Sequence, residues 1–266
     1  MSTSLHRTVR APLLAALLLV VAGPLIAEEK TPPASAAEQA AAISPEAQAV
    51  LDRMTAFLTA QKAFSIDSQS TRDDVVAFGY KLQDNEHATL TVQLPNKLRS
   101  EISGDERNRL FVYDGATLTM YSPDDSVYTR VKAPDTIGKL VEKLLNAGVE
   151  MPMMDMLYSV HHESLTEAVR GGVLVGDSNI DGVDCDHLAF RQANIDWQLW
   201  VEKGDKPLPR KMVITTRYEV GDPQYQVTMR WNLKPKIDAS TFVFKPEKGV
   251  NEIPFTDPAA IADATR

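Results

Sequence analysis

Three short clusters hold the residue types from which a reactive or metal-binding centre could be built. Cys185 and His187 stand two apart in a stretch that alternates like a strand, so they share one face, with Asp184 and Asp186 on the other. A thiol beside an imidazole is a nucleophile with its base, and the same pair is half of a metal site. A buried cysteine next to a surface histidine, following the turn at Asp181-Gly182, is the commoner arrangement. His161, His162 and Glu163 follow one another in a helical-looking stretch. Adjacent helical side chains point about 100° apart, so the imidazoles do not converge and capping of a helix end is the expected role. Met151, Met153, Met154 and Met156 put four thioethers within six residues. Such a run can bind cuprous copper, adapt to varied apolar ligands as part of a lid, or fill a core.

Charged pairs recur at strand spacing: Arg99 with Glu101, and Arg107 with Arg109. Each pair shares a face, and a solvated sheet surface accounts for them. The Asp114-Gly115 and Gly171-Gly172 pairs read as turns, and no phosphate-cradling glycine loop has the required spacing. The single cysteine can make neither an internal disulfide nor a thiolate zinc site alone. No catalytic residue, metal or cofactor is therefore expected.

The whole chain sets the class. With 266 residues, 44% of them hydrophobic and 24% charged, it is long enough for a sizeable core and too apolar to be disordered. A net charge of -8 without a basic run argues against nucleic acid as a partner. Arg7 and Arg10 precede an apolar run from Pro12 to Ile26, then come Ala27 and the polar Glu28, Glu29 and Lys30. This is the order of a secretory signal peptide, with cleavage expected after Ala27 and the product in the periplasm. The run falls short of the roughly 20 residues a retained span needs and carries Pro24. Residues 1–27 are thus read as signal, 28–43 as an Ala- and Pro-rich linker, 44–255 as one domain, and 256–266 as a tail.

The domain opens with a helix. Ser44, Pro45 and Glu46 supply a cap, a first-turn proline and an acid at the positive end of the dipole. Val50, Leu51, Met54, Phe57 and Leu58 then form one apolar face. Turn signals at Asp84-Asn85, Leu94-Pro95-Asn96, Gly104-Asp105, Asp114-Gly115 and Pro123-Asp124-Asp125 space out an antiparallel meander. A second helix follows on Ile137, Leu140, Val141, Leu144 and Leu145, ended by Gly148, with further short helices between Pro152 and Val169. Strand alternation then returns. Ile195, Trp197, Leu199 and Val201 oppose Asp196, Gln198, Trp200 and Glu202, while Val227, Met229, Trp231 and Leu233 oppose Thr228, Arg230, Asn232 and Lys234. One face is expected to be apolar and the other, including Trp200, to meet water. The expected architecture is α+β: about 10 to 12 strands in one curved antiparallel sheet, with helices over its apolar concave face.

These elements contain stretches that resemble a known family. Leu94–Arg99, Tyr113–Pro123 and Phe242–Val250 are similar to the three signature stretches of periplasmic lipoprotein carriers of the LolA/LolB type. Asp184–Phe190, Asp196–Trp200 and Lys206–Lys211 resemble more closely a family of predicted periplasmic proteins of unknown function grouped with that fold. The resemblance implies an unclosed β-barrel with a helical lid over a cavity for acyl chains. One position departs: where the carriers have an arginine that latches the lid onto backbone carbonyls, this chain has Leu94, which offers apolar contact only.

The cavity wall implied by these readings is Leu94, Ile195, Trp197, Leu199, Val201, Met229 and Trp231. The lid would comprise Ile137, Leu140, Val141, Leu144, Leu145, Met153, Met154 and Met156, with Arg99 as a candidate latch in place of the missing arginine. The expected partner is a hydrophobic small molecule, lipid or lipoprotein bound by a monomer. The alternative is an envelope sensor or scaffold that binds a membrane-protein partner, which would expose an apolar patch in place of an enclosed pocket.

Overall fold

Ser44 begins the first helix: its Oγ accepts the Ala47 N–H at 3.2 Å, and Pro45 takes a first-turn place where no amide partner is needed. This helix, α1 (Pro45–Thr59), buries Ala47, Val50, Leu51, Met54 and Leu58 along one face. The structure, a computed structural model, describes residues 43–149, 166 and 168–255. After α1 come six strands: β1 (Ala63–Val75), β2 (Lys81–Gln93), β3 (Lys97–Gly104), β4 (Arg109–Tyr113), β5 (Thr117–Ser122) and β6 (Val127–Lys132). The second helix, α2 (Ile137–Asn146), is capped by Thr136 and followed by Gly148 with φ 64°. The remaining strands are β7 (Gly171–Ile180), β8 (Val183–Arg191), β9 (Ile195–Glu202), β10 (Pro209–Thr216), β11 (Gln224–Asn232) and β12 (Asn251–Glu252).

All of them join one curved sheet of 12 strands, in the order β12-β6-β5-β4-β3-β2-β1-β11-β10-β9-β8-β7. Only β12, beside β6, is parallel to its neighbour, and the sheet does not close on itself because β12 and β7 are its two edges. The chain thus forms the expected α+β unclosed barrel. No helix among the described residues is long and apolar enough to cross a membrane.

Two expected turns fall elsewhere: Gly171 and Gly172 open β7, paired with Arg191 and Phe190 of β8, and a second signal lies within β2. Asp84 and Asn85 lie inside β2, paired with Arg72 and Thr71 of β1, and the hairpin turns instead through Val76–Tyr80. Continuous ladder bonding on both sides of the Asp-Asn pair outweighs its local turn preference. The other four turn signals lie where the strands end.

The apolar face carries two adjoining clusters. In the first, Ile137, Leu140, Val141 and Leu144 of α2 pack on Phe64, Ile66, Leu90, Val92, Leu98, Phe111, Tyr113 and Leu118. In the second, α1 packs on Leu188, Phe190, Trp197, Leu199 and Val201. Register puts both on one side of the sheet, since Leu199 faces Met212, Met212 faces Val227, and Ile66 faces Trp231. Met212, Trp231 and Leu233 touch both clusters and join them.

The opposite face is not uniformly wet. Trp200 does point away from Trp197 as expected, yet it is only 8% exposed. Its ring stacks on His187 with centroids 4.2 Å apart, Lys211 Nζ lies 5.1 Å from its centroid, and Cys185 and Val213 pack with it. Among the described residues, cross-strand neighbours on β8, β9 and β10 bury the aromatic there.

Candidate ligand site

The entry to α2 is fixed by two hydrogen bonds. Tyr113 donates its hydroxyl to the Pro134 carbonyl at 2.6 Å, and the Ile137 N–H donates to the Pro95 carbonyl at 2.9 Å. Tyr113 is fully buried, and burial, followed by the charges of Asp135 and Asp114, pushes its hydroxyl pKa up to about 12. Leu94 packs half-buried against the same cluster, so the turn that would carry the latch arginine still meets α2, through backbone and apolar contact. Nothing in the sequence alone pairs Tyr113 with Pro134, because their bond joins residues on separate elements.

Beyond the other end of α2 lies a cavity of about 410 Å³. Phe111, Met120, Val127, Val149 and Ile253 give it apolar walls, and Arg107, Arg109, Ser122 and Thr129 add polar atoms. Arg109 Nε and Thr129 Oγ1 are buried with no hydrogen-bond partner among the described residues. The Arg109 guanidinium is held from its outer end by Glu86, whose Oε2 lies 3.3 Å from Nη2. An open cavity with apolar walls and a few polar side chains at its margin has the composition of a site for a chain with a polar end.

The residues named from the sequence fall in three places. Trp197, Leu199 and Val201 are buried against α1, Met229 lies in the cluster beneath α2, and half-buried Trp231 bridges the two, its Nε1 donating to the Pro209 carbonyl at 2.7 Å. Ile195 and Leu94 are half-buried at the margins of these clusters. Four expected lid residues, Ile137, Leu140, Val141 and Leu144, form the buried stripe of α2. Leu145 does not join them: at about 100° beyond Leu144 it sits on the flank of the stripe and is 43% exposed. Met153, Met154 and Met156 lie outside the described residues, as do Met151, His161, His162 and Glu163.

Arg99 is not a latch. Leu98 and Ser100 of β3 face α2, so Arg99 and Glu101 point to the other side, where Arg99 Nε bonds Glu101 Oε1 at 2.6 Å. They line a separate opening of about 610 Å³ between that face and the segment Asp238–Glu247. Phe244 of this segment packs on Tyr121 and Tyr128, with centroids 5.3 and 5.1 Å away.

Cys185 and His187 each have another partner. The thiol lies 3.4 Å from the Val183 carbonyl and burial raises its pKa, which works against a thiolate. His187 Nε2 lies 2.9 Å from Gln198 Oε1. Among the described residues no three His, Cys, Asp or Glu side chains group so as to hold a metal.

The sequence matches the family of predicted periplasmic proteins DUF2092 over residues 47–256. The chain belongs to this family. Among solved structures it is similar to the lipoprotein LppX from Mycobacterium tuberculosis, at 15% identity and a TM-score of 0.48, covering 73% of this chain and 100% of that one. LprF from Mycobacterium bovis is similar at 13% identity and 0.44, covering 74% and 98%. A LolA superfamily protein from Nitrosomonas europaea is similar at 12% identity and 0.31, covering 73% and 96%. A search of curated protein sequences finds no match.

Proposed function

We infer that this DUF2092 member is a periplasmic binding protein for a hydrophobic ligand, such as a lipid or the acyl chain of a lipoprotein, and that it performs no catalysis. The observation that carries this reading is the open cavity of about 410 Å³ beyond the end of α2, with its Phe111, Met120 and Val149 walls and the polar Arg107, Ser122 and Thr129 beside them. An acyl chain would displace water from the apolar wall, each methylene contributing about 0.8 kcal/mol, with the polar side chains at the rim left to meet a polar head. Helix α2 acts as the lid: hydrogen bonds fix its start, and its end borders the cavity. Leu94 stands beside the start of α2 in place of a latching guanidinium, and the last turn of the helix is held by Lys143 Nζ, which donates to the Lys132 carbonyl at 2.8 Å, a single exposed bond whose release suits reversible exchange. Native mass spectrometry of protein purified from its own periplasm tests this. A co-purifying lipid, lost in Met120→Arg, is expected; a ligand-free protein that also fails to bind added fatty acid would overturn the reading.

A further inference from the structure

The cavity beyond the end of α2 carries a charge of one sign. In a chain with 36 acidic and 28 basic residues, the charged side chains that line it among the described residues are Arg107 and Arg109, with no carboxylate beside them. Both arginines also border a second, narrow cleft, and it is there that Asp84, Glu86, Asp105 and Glu106 gather. The arginines thus stand between these acids and the cavity, so the layer turns its positive side to the apolar wall.

Register explains the arrangement. Arg109 pairs with Ile102 of β3 and shares the face of Phe111, so it projects from the rim of the concave side. Glu86 of β2, on the face of Ala88 and Leu90, meets it with Oε2 3.3 Å from Nη2, and this half-buried pair takes up the Arg109 charge. Arg107 stands just before β4 and is differently placed: its side chain is 62% exposed and its ion pair, with Glu106 at 3.5 Å, is exposed too. Such a pair contributes little and opens readily. Carboxylates of the β5–β6 turn are engaged elsewhere, Asp124 accepting the Asn108 N–H and Asp125 the Ser122 hydroxyl, each at 2.7 Å. At the end of α2 the Lys143, Leu144 and Leu145 carbonyls accept the N–H groups of Ala147, Val149 and Gly148, which blunts the negative end of the helix dipole beside the cavity.

We propose that the cavity selects amphiphiles with an anionic head, a carboxylate or a phosphate, met by the Arg107 guanidinium while the chain lies against Phe111, Met120 and Val149. This rests on the reading of the cavity as the site of a hydrophobic ligand, and it adds the charge of the head. A guanidinium presents parallel N–H donors that match two oxygens of either anion. A hydroxyl head would gain only a neutral hydrogen bond, and a trimethylammonium head would meet like charge.

Calorimetric titration of the full protein, recovered from the periplasm and stripped of lipid, tests the proposal with four ligands of equal chain: dodecanoate, dodecyl phosphate, dodecanol and dodecyltrimethylammonium. The better of the two anions should bind about tenfold tighter than the alcohol, the cation should bind more weakly than the alcohol, and added salt should narrow the margin. Which anion is better tells a free fatty acid from a phosphate lipid as the source. In Arg107→Gln the ratio of anion to alcohol affinity should fall toward one, in Arg107→Lys most of it should remain, and Arg107→Glu should favour the cation. These variants should melt as the parent does, since the side chain is exposed. Equal binding of anions and alcohol by the parent, or a ratio unchanged in Arg107→Gln, would overturn the assignment of the head and leave the cavity as a site for apolar chains. Binding of none of the four would overturn that reading as well.

Discussion

Tyr113 on β4 and Pro134 in the approach to α2 are joined by a hydroxyl-to-carbonyl bond of 2.6 Å, made by a side chain without solvent exposure. Helix α2 thereby enters over the sheet at a fixed point. Tyr113→Phe keeps the ring and removes the donor, leaving the Pro134 carbonyl without it; a loss of about 1 kcal/mol of stability is expected in denaturant unfolding.

Burial of the same hydroxyl, with the charges of Asp135 and Asp114 nearby, sets a response to alkali. The Tyr113 pKa stands at about 12 in the fold against an ordinary 10.0, so the buried hydroxyl contributes fully below pH 10 and is lost as the pH rises through 12. The stability difference between the parent and Tyr113→Phe should accordingly shrink across that window. A constant difference up to pH 12 would refute the assignment.

Gly172 shows why a glycine stands at the start of β7. A Cβ there would lie 2.5 Å from Phe190 Cδ1, and Phe190 is itself stacked on Trp197 with centroids 4.0 Å apart. The Gly172 carbonyl also accepts the Ser44 N–H at 2.8 Å, at the cap of α1. Gly172→Ala should cost about 1 to 3 kcal/mol through overpacking and lower the melting temperature.

Trp197 and Trp200 are both buried, on opposite faces of β9. Trp197→Ala empties the cluster under α1 and should cost about 3 to 5 kcal/mol. Trp200→Ala should also cost more than an ordinary surface change, since it removes the stack on His187 and uncovers Cys185. The thiol reagent that leaves the parent untouched should label Cys185 in Trp200→Ala, and not in Trp197→Ala.

Local signals were strong enough to place α1, α2 and most of the described strands. Ser44 with its stripe of Val50, Leu51, Met54 and Leu58 forms α1, and the alternation around Trp197 and Met229 gives the faces of β9 and β11. What was not legible depends on contacts distant in the chain. Asp84-Asn85 looks like a turn until Arg72 and Thr71 pair with it, and Trp200 looks exposed until β8 and β10 bring His187 and Lys211 beside it. Arg99 could have been excluded as a latch from alternation alone, because Leu98 and Ser100 had to take the side facing α2 once the Leu94-Pro95 turn fixed the register. The Arg109 and Thr129 pair was hidden because their shared cavity is assembled from three strands and the segment after α2.

Export is open to a direct check. Protein recovered from the periplasm should begin at Glu28, because the apolar run from Pro12 to Ile26 and the junction at Ala27 fit a cleaved signal. An N-terminus at Met1 or Ser2 in that fraction would contradict it.

Amide hydrogen exchange with and without a saturating fatty acid tests the central claim most directly. If an acyl chain fills the cavity beyond α2, protection should rise in the last turn of α2, at Gly148 and Val149, and along Phe111 and Met120, while the β8–β10 ladder stays unchanged. Protection that appears nowhere, or only at the exposed tip around Phe78, would show that the lipid does not enter the site.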